Sequence, residues 1–202
     1  RELYTRARGT DDRPFMMTVS LTHPHDPYVI TREYWNLYAD EDIDAPQVPH
    51  TPVEERDAHS QSLYYHYGQD KCELSDKDYR NARRGYYGMI SYIDDLFGRL
   101  MRALNDSGFS ENTVVVFASD HGDMIGERGM WFKKTLFNPA IQVPLLIAHP
   151  DQDPRRVVVP VSLLDIFPTL LDIAGIEEDA IKTPLDGRNL MPTLRGELLT
   201  GP

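Results

Sequence analysis

TVVVFASDHGD, residues 113–123, is the stretch whose reading decides the fold. Residues 113–119 are β-branched and apolar almost without interruption, the composition of a strand buried on both faces of a parallel sheet. The next four residues, Asp120, His121, Gly122 and Asp123, change character abruptly. In open α/β sheets, ligands collect beyond the carboxyl ends of strands. A buried strand that empties into this loop therefore predicts both a fold class and a place for chemistry.

Working outward, the chain keeps the α/β alternation. Residues 75–78 (SDKD) have the spacing of a capping box. Tyr79, Ala82, Tyr86, Ile90, Ile93, Phe97, Leu100 and Leu104 follow at intervals of three and four, predicting one long amphipathic helix. Residues 105–108 (NDSG) end it with a left-handed cap. Upstream, the short apolar run 14–21 reads as a buried strand running into the turn-rich loop 22–28, THPHDPY. Residues 39–76 are polar and Pro-dotted, which predicts a functional loop or one holding short helices. Downstream, 143–148 reads as a second buried strand and 157–161 as a further short one. Residues 163–174 read as a helix opened by a Ser162/Asp165 capping box and closed at Gly175. The whole is an α/β pattern with a mostly parallel sheet flanked by helices.

The 202 residues, 41% hydrophobic and 26% charged, suit one folded domain. A net charge of −11 argues against a nucleic-acid binder and against adsorption to anionic membranes. No apolar run nears the roughly 18 residues that span a bilayer. Cys72 is the single cysteine, so no internal disulfide forms and a cytoplasmic location is expected. The chain opens at Arg1 without an initiator Met and closes on Gly201-Pro202, which predicts a piece of a longer protein.

Several residues offer chemistry. Asp120 and His121 supply a carboxylate oxygen and an imidazole nitrogen for one divalent cation, or else a turn cap and a loop histidine. Asp123 supports that site or bonds its own turn. His23 and His25 at a strand end suit acid–base work, or form a Pro-braced surface loop. Lys133 and Lys134 suit a sulfate or phosphate oxygen, or a solvated face. Arg83 and Arg84 read as surface or ion-paired, and Cys72, in an acidic setting without a base, as an incidental thiol. No phosphate-binding P-loop, dinucleotide fingerprint or serine-hydrolase elbow is present.

Taken together, these segments resemble the sulfatases of the alkaline-phosphatase superfamily, most closely the choline-sulfatase branch. The resemblance rests on 18–28 (TVSLTHPHDPY), 83–94 (RRGYYGMISYID), 119–131 (SDHGDMIGERGMW), 161–175 (VSLLDIFPTLLDIAG) and 186–190 (DGRNL), in family order along nearly the whole chain. It implies an alkaline-phosphatase-like α/β fold and a sulfuric ester hydrolase. By that resemblance Asp120 and His121 are two ligands of one divalent cation, calcium first, with manganese and magnesium as alternatives. His25 protonates the leaving alcohol, and Lys133 grips a sulfate oxygen.

Two departures qualify it. Phe137-Asn138 stands where sulfatases often carry an aromatic-Glu pair, which is similar to the superfamily's phosphonate monoester and phosphodiester hydrolases. The family's Cys- or Ser-x-Pro-x-Arg nucleophile motif, source of formylglycine, is absent, and Asp11-Asp12 precede the first strand rather than ending it. The resemblance thus implies that residues 1–202 are the C-terminal portion of a catalytic domain whose nucleophile and remaining metal ligands lie upstream. The expected partners are a small anionic ester substrate and the rest of that domain, with no nucleic acid and no membrane. A homo-oligomer is left open, as is a non-catalytic metal- or anion-binding relative.

Overall fold

The computed structural model describes residues 1–10 and 12–197; Asp11 and the terminal Gly201-Pro202 lie outside them. It divides into two compact units, one of Arg1–Ser110 with His121–Val143, the other of Glu111–Asp120 with the described part of Pro144–Pro202. Among the described residues no helix is long and apolar enough to cross a membrane.

The first unit is organised on its long helix. After α1 (Glu2–Ala7), α2 (Arg32–Trp35) and α3 (Ala58–His66) comes α4 (Asp76–Asp106), 31 residues and so about 46 Å long. The predicted capping box starts it. The Ser75 amide donates to Asp78 Oδ2 at 2.9 Å and the Asp78 amide to Ser75 Oγ at 3.3 Å. At the other end Gly108 takes φ 76°, the Phe109 amide bonds the Leu104 carbonyl, and the Gly108 amide bonds that of Asn105. That is the paired arrangement by which a left-handed glycine closes a helix.

The burial of α4 departs from the apolar stripe. Ile90 is exposed, whereas Arg83, Gly85, Gly88 and Met89 are buried. The reason is backbone packing. A Cβ at Gly85 would overlap the Tyr28 carbonyl oxygen, and one at Gly88 would stand 3.1 Å from that of Tyr34. Two glycines one turn apart let the chain after His25 lie directly on the helix.

The 39–76 loop resolves into short helices: 3-10 turns at Asp40–Asp42, Val53–Glu55 and Gln69–Lys71, and α3 between them. Asp57 caps α3 by accepting from the His59 and Ser60 amides, both at 3.0 Å. Residues 14–21 form no helix or strand among the described residues. Met16 is 79% exposed and Val19 50%, so the expected buried strand is absent from this unit. The physical reason is that a strand exists only through a partner's ladder of hydrogen bonds.

In the second unit β1 (Val115–Ala118) pairs with β2 (Leu145–Ala148), and the pairing is antiparallel, with Val115 opposite Ala148 and Ala118 opposite Leu145. The sequence reading expected parallel strands. Parallel neighbours need a crossover, usually helical. The residues between these two fold as loop and the four-residue helix α5 (Asn138–Ile141), and the chain returns in the opposite direction. Both strands are only part-buried, and β2 alternates along its length. Residues 157–161 form no strand; Val158 is 84% exposed.

The predicted downstream helix divides into a 3-10 turn, Leu163–Asp165, and α6 (Ile166–Ile173). The Ser162 amide donates to Asp165 Oδ2 at 2.7 Å, and the Arg188 amide donates to Asp165 Oδ1 at 2.8 Å. Thr169 Oγ1 accepts the Leu190 amide at 2.9 Å. These bonds fix the 186–190 turn to α6, just before the closing helix α7 (Met191–Leu194).

Candidate active site

The loop after β1 closes on itself. The Met124 amide bonds the Phe132 carbonyl at 2.8 Å, and the Gly126 amide bonds that of Met130 at 2.9 Å. Met124 and Met130 are buried with Leu63 and Ala140, with Tyr67 and Phe137 packed against them. At the loop's start the Gly122 amide donates to the Ala140 carbonyl at 2.8 Å, and a Cβ there would overlap the Pro139 carbonyl. Gly122 thus permits a close backbone approach.

Glu127 staples the loop from outside. Its carboxylate accepts the Gln47 and Val48 amides at 2.9 and 2.8 Å. Arg83, 3% exposed, reaches Glu127 Oε1 at 3.5 Å, the Ile125 carbonyl at 3.1 Å and Asp44 Oδ2 at 2.6 Å. Of the two readings for Arg83, ion pairing holds and the solvated surface does not. Arg84 pairs with Asp40 at 2.8 Å and lies over the Trp35 ring.

Among the described residues, four non-glycine residues have φ between +36° and +71°, and all lie in this loop: Ile125, Arg128, Phe132 and Lys134. L-residues there are strained by about 1–3 kcal/mol each, a condition that clusters at functional sites. Two of the four flank Lys133.

The structure brings His25 and Lys133 together. Lys133 Nζ lies 2.7 Å from His25 Nε2, although 108 residues separate them. His25 Nδ1 lies 2.8 Å from the Asp26 carbonyl oxygen and 3.1 Å from its carboxylate. Two oxygen acceptors at Nδ1 require that nitrogen to carry a proton, so the neutral ring receives the Lys133 N–H at Nε2. The twin histidines diverge, since the His23 ring packs on Tyr92 at 5.1 Å. The lysines diverge too: Lys134 is exposed, its carbonyl 2.6 Å from His59 Nε2 and its Nζ 5.9 Å from the centre of the Tyr67 ring.

Asp120 and His121 fall on either side of the boundary between the two units. His121 Nδ1 lies 2.7 Å from the Gly122 carbonyl oxygen, which assigns the proton to Nδ1 and the lone pair to Nε2. Imidazole nitrogen and carboxylate oxygen are donor types that divalent cations accept. Among the described residues no group of three or more His, Cys, Asp or Glu gathers into a fuller metal site. The fit to a cation is one of donor chemistry, a carboxylate and an imidazole adjacent in sequence. Cys72 is exposed.

Two groups hold this arrangement: Asp123, which the sequence reading has supporting the site or bonding its own turn, and Tyr28, whose part it misses. Asp123 Oδ1 accepts the Ile125 amide at 2.9 Å and the Phe132 amide at 3.1 Å. Tyr28 Oη donates to the same carboxylate, 2.8 Å from both oxygens. Burial pushes Asp123 up from the usual carboxylate range against the pull of those three donors. Burial first, then the Asp123 charge, pushes the Tyr28 phenol far above its ordinary value, so it remains a donor. Tyr28 lies within the 22–28 motif and Asp123 within the loop; what one sequence does not show is that they meet.

The sulfatase family model matches residues 2–176. The choline-sulfatase of Rhizobium meliloti (strain 1021) is 40% identical over 205 residues, covering 100% of this chain and 40% of that protein. Among solved structures, the phosphonate monoester hydrolase of Agrobacterium radiobacter superposes with a TM-score of 0.80 at 29% identity, over 97% of this chain and 41% of that one. The phosphonate monoester hydrolase SpPMH of Silicibacter pomeroyi does so with a TM-score of 0.76 at 30% identity, over 88% and 36%. The chain thus spans about two fifths of the length of these relatives. Their alkaline-phosphatase-like α/β fold is the class read from the sequence. With motifs, geometry and these matches in agreement, the chain belongs to the sulfatase family.

Proposed function

We propose that the full-length protein is a sulfuric ester hydrolase that cleaves choline O-sulfate to choline and sulfate. The observation that carries this is the 2.7 Å approach of Lys133 Nζ to His25 Nε2, which puts a cation and a proton carrier at one point. The 40% identity to a choline-sulfatase over the full chain supports the choice of ester.

In this reading the Lys133 ammonium contacts a sulfate oxygen and offsets charge on the group in transfer, the kind of stabilisation that dominates catalysis of this type. His25 acts at the opposite bond. His25 first takes a proton from solvent at Nε2 as Lys133 turns to the sulfate oxygen. When the alcohol departs with the S–O electron pair, that proton passes to the alcohol oxygen and the ring returns to its neutral form. Asp26 holds Nδ1–H throughout, leaving Nε2 as the atom that exchanges the proton, while Lys133 stays an ammonium on the sulfate oxygen. A divalent cation, calcium in this proposal, held by Asp120 and His121 together with donors from elsewhere in the protein, would supply Lewis-acid stabilisation. The nucleophile, a formylglycine, is placed upstream of Arg1, so residues 1–202 alone are expected to be inactive. A cytoplasmic location belongs to the same proposal and rests on the single cysteine.

A second reading, a phosphonate monoester hydrolase, is favoured by Phe137-Asn138 and by the two solved relatives of that activity. The test is kcat/KM of the full-length protein on choline O-sulfate and on a phosphonate monoester. Higher kcat/KM on choline O-sulfate is expected. A phosphonate turned over faster by a large factor replaces the first reading with the second, and no turnover of either points to a non-catalytic relative.

A further inference from the structure

We infer that Tyr28 and Asp123 are positioning residues for the His25–Lys133 pair, a single carboxylate setting both halves of the site. The roles of His25 and Lys133 rest on the function proposed above; the placement by Tyr28 and Asp123 rests on geometry. On one side Asp123 Oδ1 takes the Phe132 amide at 3.1 Å, and Phe132 immediately precedes Lys133. On the other, both Asp123 oxygens take the Tyr28 hydroxyl at 2.8 Å, and Tyr28 follows His25 by three residues. Three residues reach at most about 11 Å, so fixing Tyr28 confines His25.

Two further observations assign more than loop satisfaction to these bonds. Phe132 and Lys134 take φ of 64° and 71°. That conformation persists only where the surroundings over-determine it, and the bond to Asp123 supplies a restraint at Phe132. Tyr28 is gripped at both ends. Its hydroxyl sits on Asp123 and its backbone carbonyl on Gly85 of α4, while its ring stacks on Phe132 with centroids 6.1 Å apart. The side chain therefore ties the His25 loop to the Lys133 loop through one ring and one carboxylate.

The test compares Tyr28→Phe and Asp123→Asn in the full-length protein. Tyr28→Phe keeps the ring contacts and removes only the hydroxyl, and Asp123→Asn removes the charge at constant shape. Turnover is measured on sulfate esters spanning poor alkyl to good phenol leaving groups. Tyr28→Phe is expected to lower kcat on the alkyl ester roughly 10–100-fold and on the phenol ester less than about threefold, within the range of a misplaced general acid. KM should change little. In a His25→Ala background Tyr28→Phe should cost nothing more, because the group it places is gone.

Equal losses across leaving groups, or full additivity with His25→Ala, overturn the inference. A readout independent of turnover separates the two claims. In histidine-labelled protein, the Tyr28→Phe change should shift the 15N resonances of His25 as its contact with Lys133 loosens. Unchanged His25 resonances overturn the positioning role even in an active enzyme. Shifted resonances in a protein that hydrolyses no sulfate ester refute the function and leave the positioning role standing.

Discussion

Alanine substitution at three glycines of α4 tests the packing that carries the His25 loop. Helix propensity alone assigns each Gly→Ala change a gain of about 0.8–1 kcal/mol. At Gly98 the new Cβ would meet only the flexible end of Arg102, with Nη1 at 3.5 Å. Gly98→Ala should therefore stabilise by nearly the full propensity gain.

At Gly85 the Cβ would overlap the Tyr28 carbonyl oxygen and stand 3.2 Å from its carbon. Both partners are backbone, so the helix and the 28–34 segment must separate. Overpacking of this kind costs about 1–3 kcal/mol, and displacing Tyr28 also weakens its bond to Asp123. The net effect should be a loss of about 1–2 kcal/mol, opposite in sign to propensity. Gly88 is intermediate, with Ile30 Cγ2 at 3.0 Å and the Tyr34 carbonyl oxygen at 3.1 Å. Urea unfolding of the full-length protein, followed by circular dichroism, should order the midpoints Gly98→Ala, wild type, Gly88→Ala, Gly85→Ala, from highest to lowest. A Gly85→Ala protein as stable as wild type would refute the reasoning.

Arg83→Ala strands the buried Glu127 carboxylate without its cation. It should destabilise by about 3–5 kcal/mol, read as a thermal midpoint, with Arg83→Met less damaging because it refills the volume. Asp78 is held below the usual carboxylate range by the Ser75 hydroxyl and amide. Its cap on α4 is therefore intact above the unfolded carboxylate value near about 4 and is lost as pH falls through the lower folded value. Asp78→Asn should flatten that acid-side decline in the urea midpoint, and an unchanged decline would remove the cap from the explanation. Asp120→Ala takes a carboxylate from an exposed loop position. Activity at limiting divalent cation should fall sharply while the unfolding free energy of cation-free protein stays within about 0.5 kcal/mol of wild type; near-normal turnover would count against the metal assignment.

What the sequence reveals depends on how local the cause is. The caps of α4 and α6 are legible because Ser75, Asp78, Ser162, Asp165, Gly108 and Gly175 act within a few residues of themselves. His25 and Lys133 are legible as chemistry, and the structure brings the two within one hydrogen bond. Strand pairing is not local: residues 113–119 read as a strand, but neither its partner nor its direction is written in them. The buried side of α4 is illegible for a related reason. It is set by where the 28–34 backbone lies on Gly85 and Gly88, so Ile90, apolar and in phase, ends up outside. Tyr28 and Asp123 are separated by 95 residues, and no periodicity announces their bond.

The four left-handed residues of the 125–134 loop also bear on how this protein can be improved. Each is a position where glycine would relax the backbone, and a screen for heat resistance would find such changes readily. Phe132 and Lys134 hold the peptide on either side of Lys133 in a form that a glycine would be free to leave. Stabilising substitutions chosen there are expected to gain melting temperature while losing turnover. Gly98, remote from that loop in sequence and set on an uncrowded stretch of helix, is the safer place to begin.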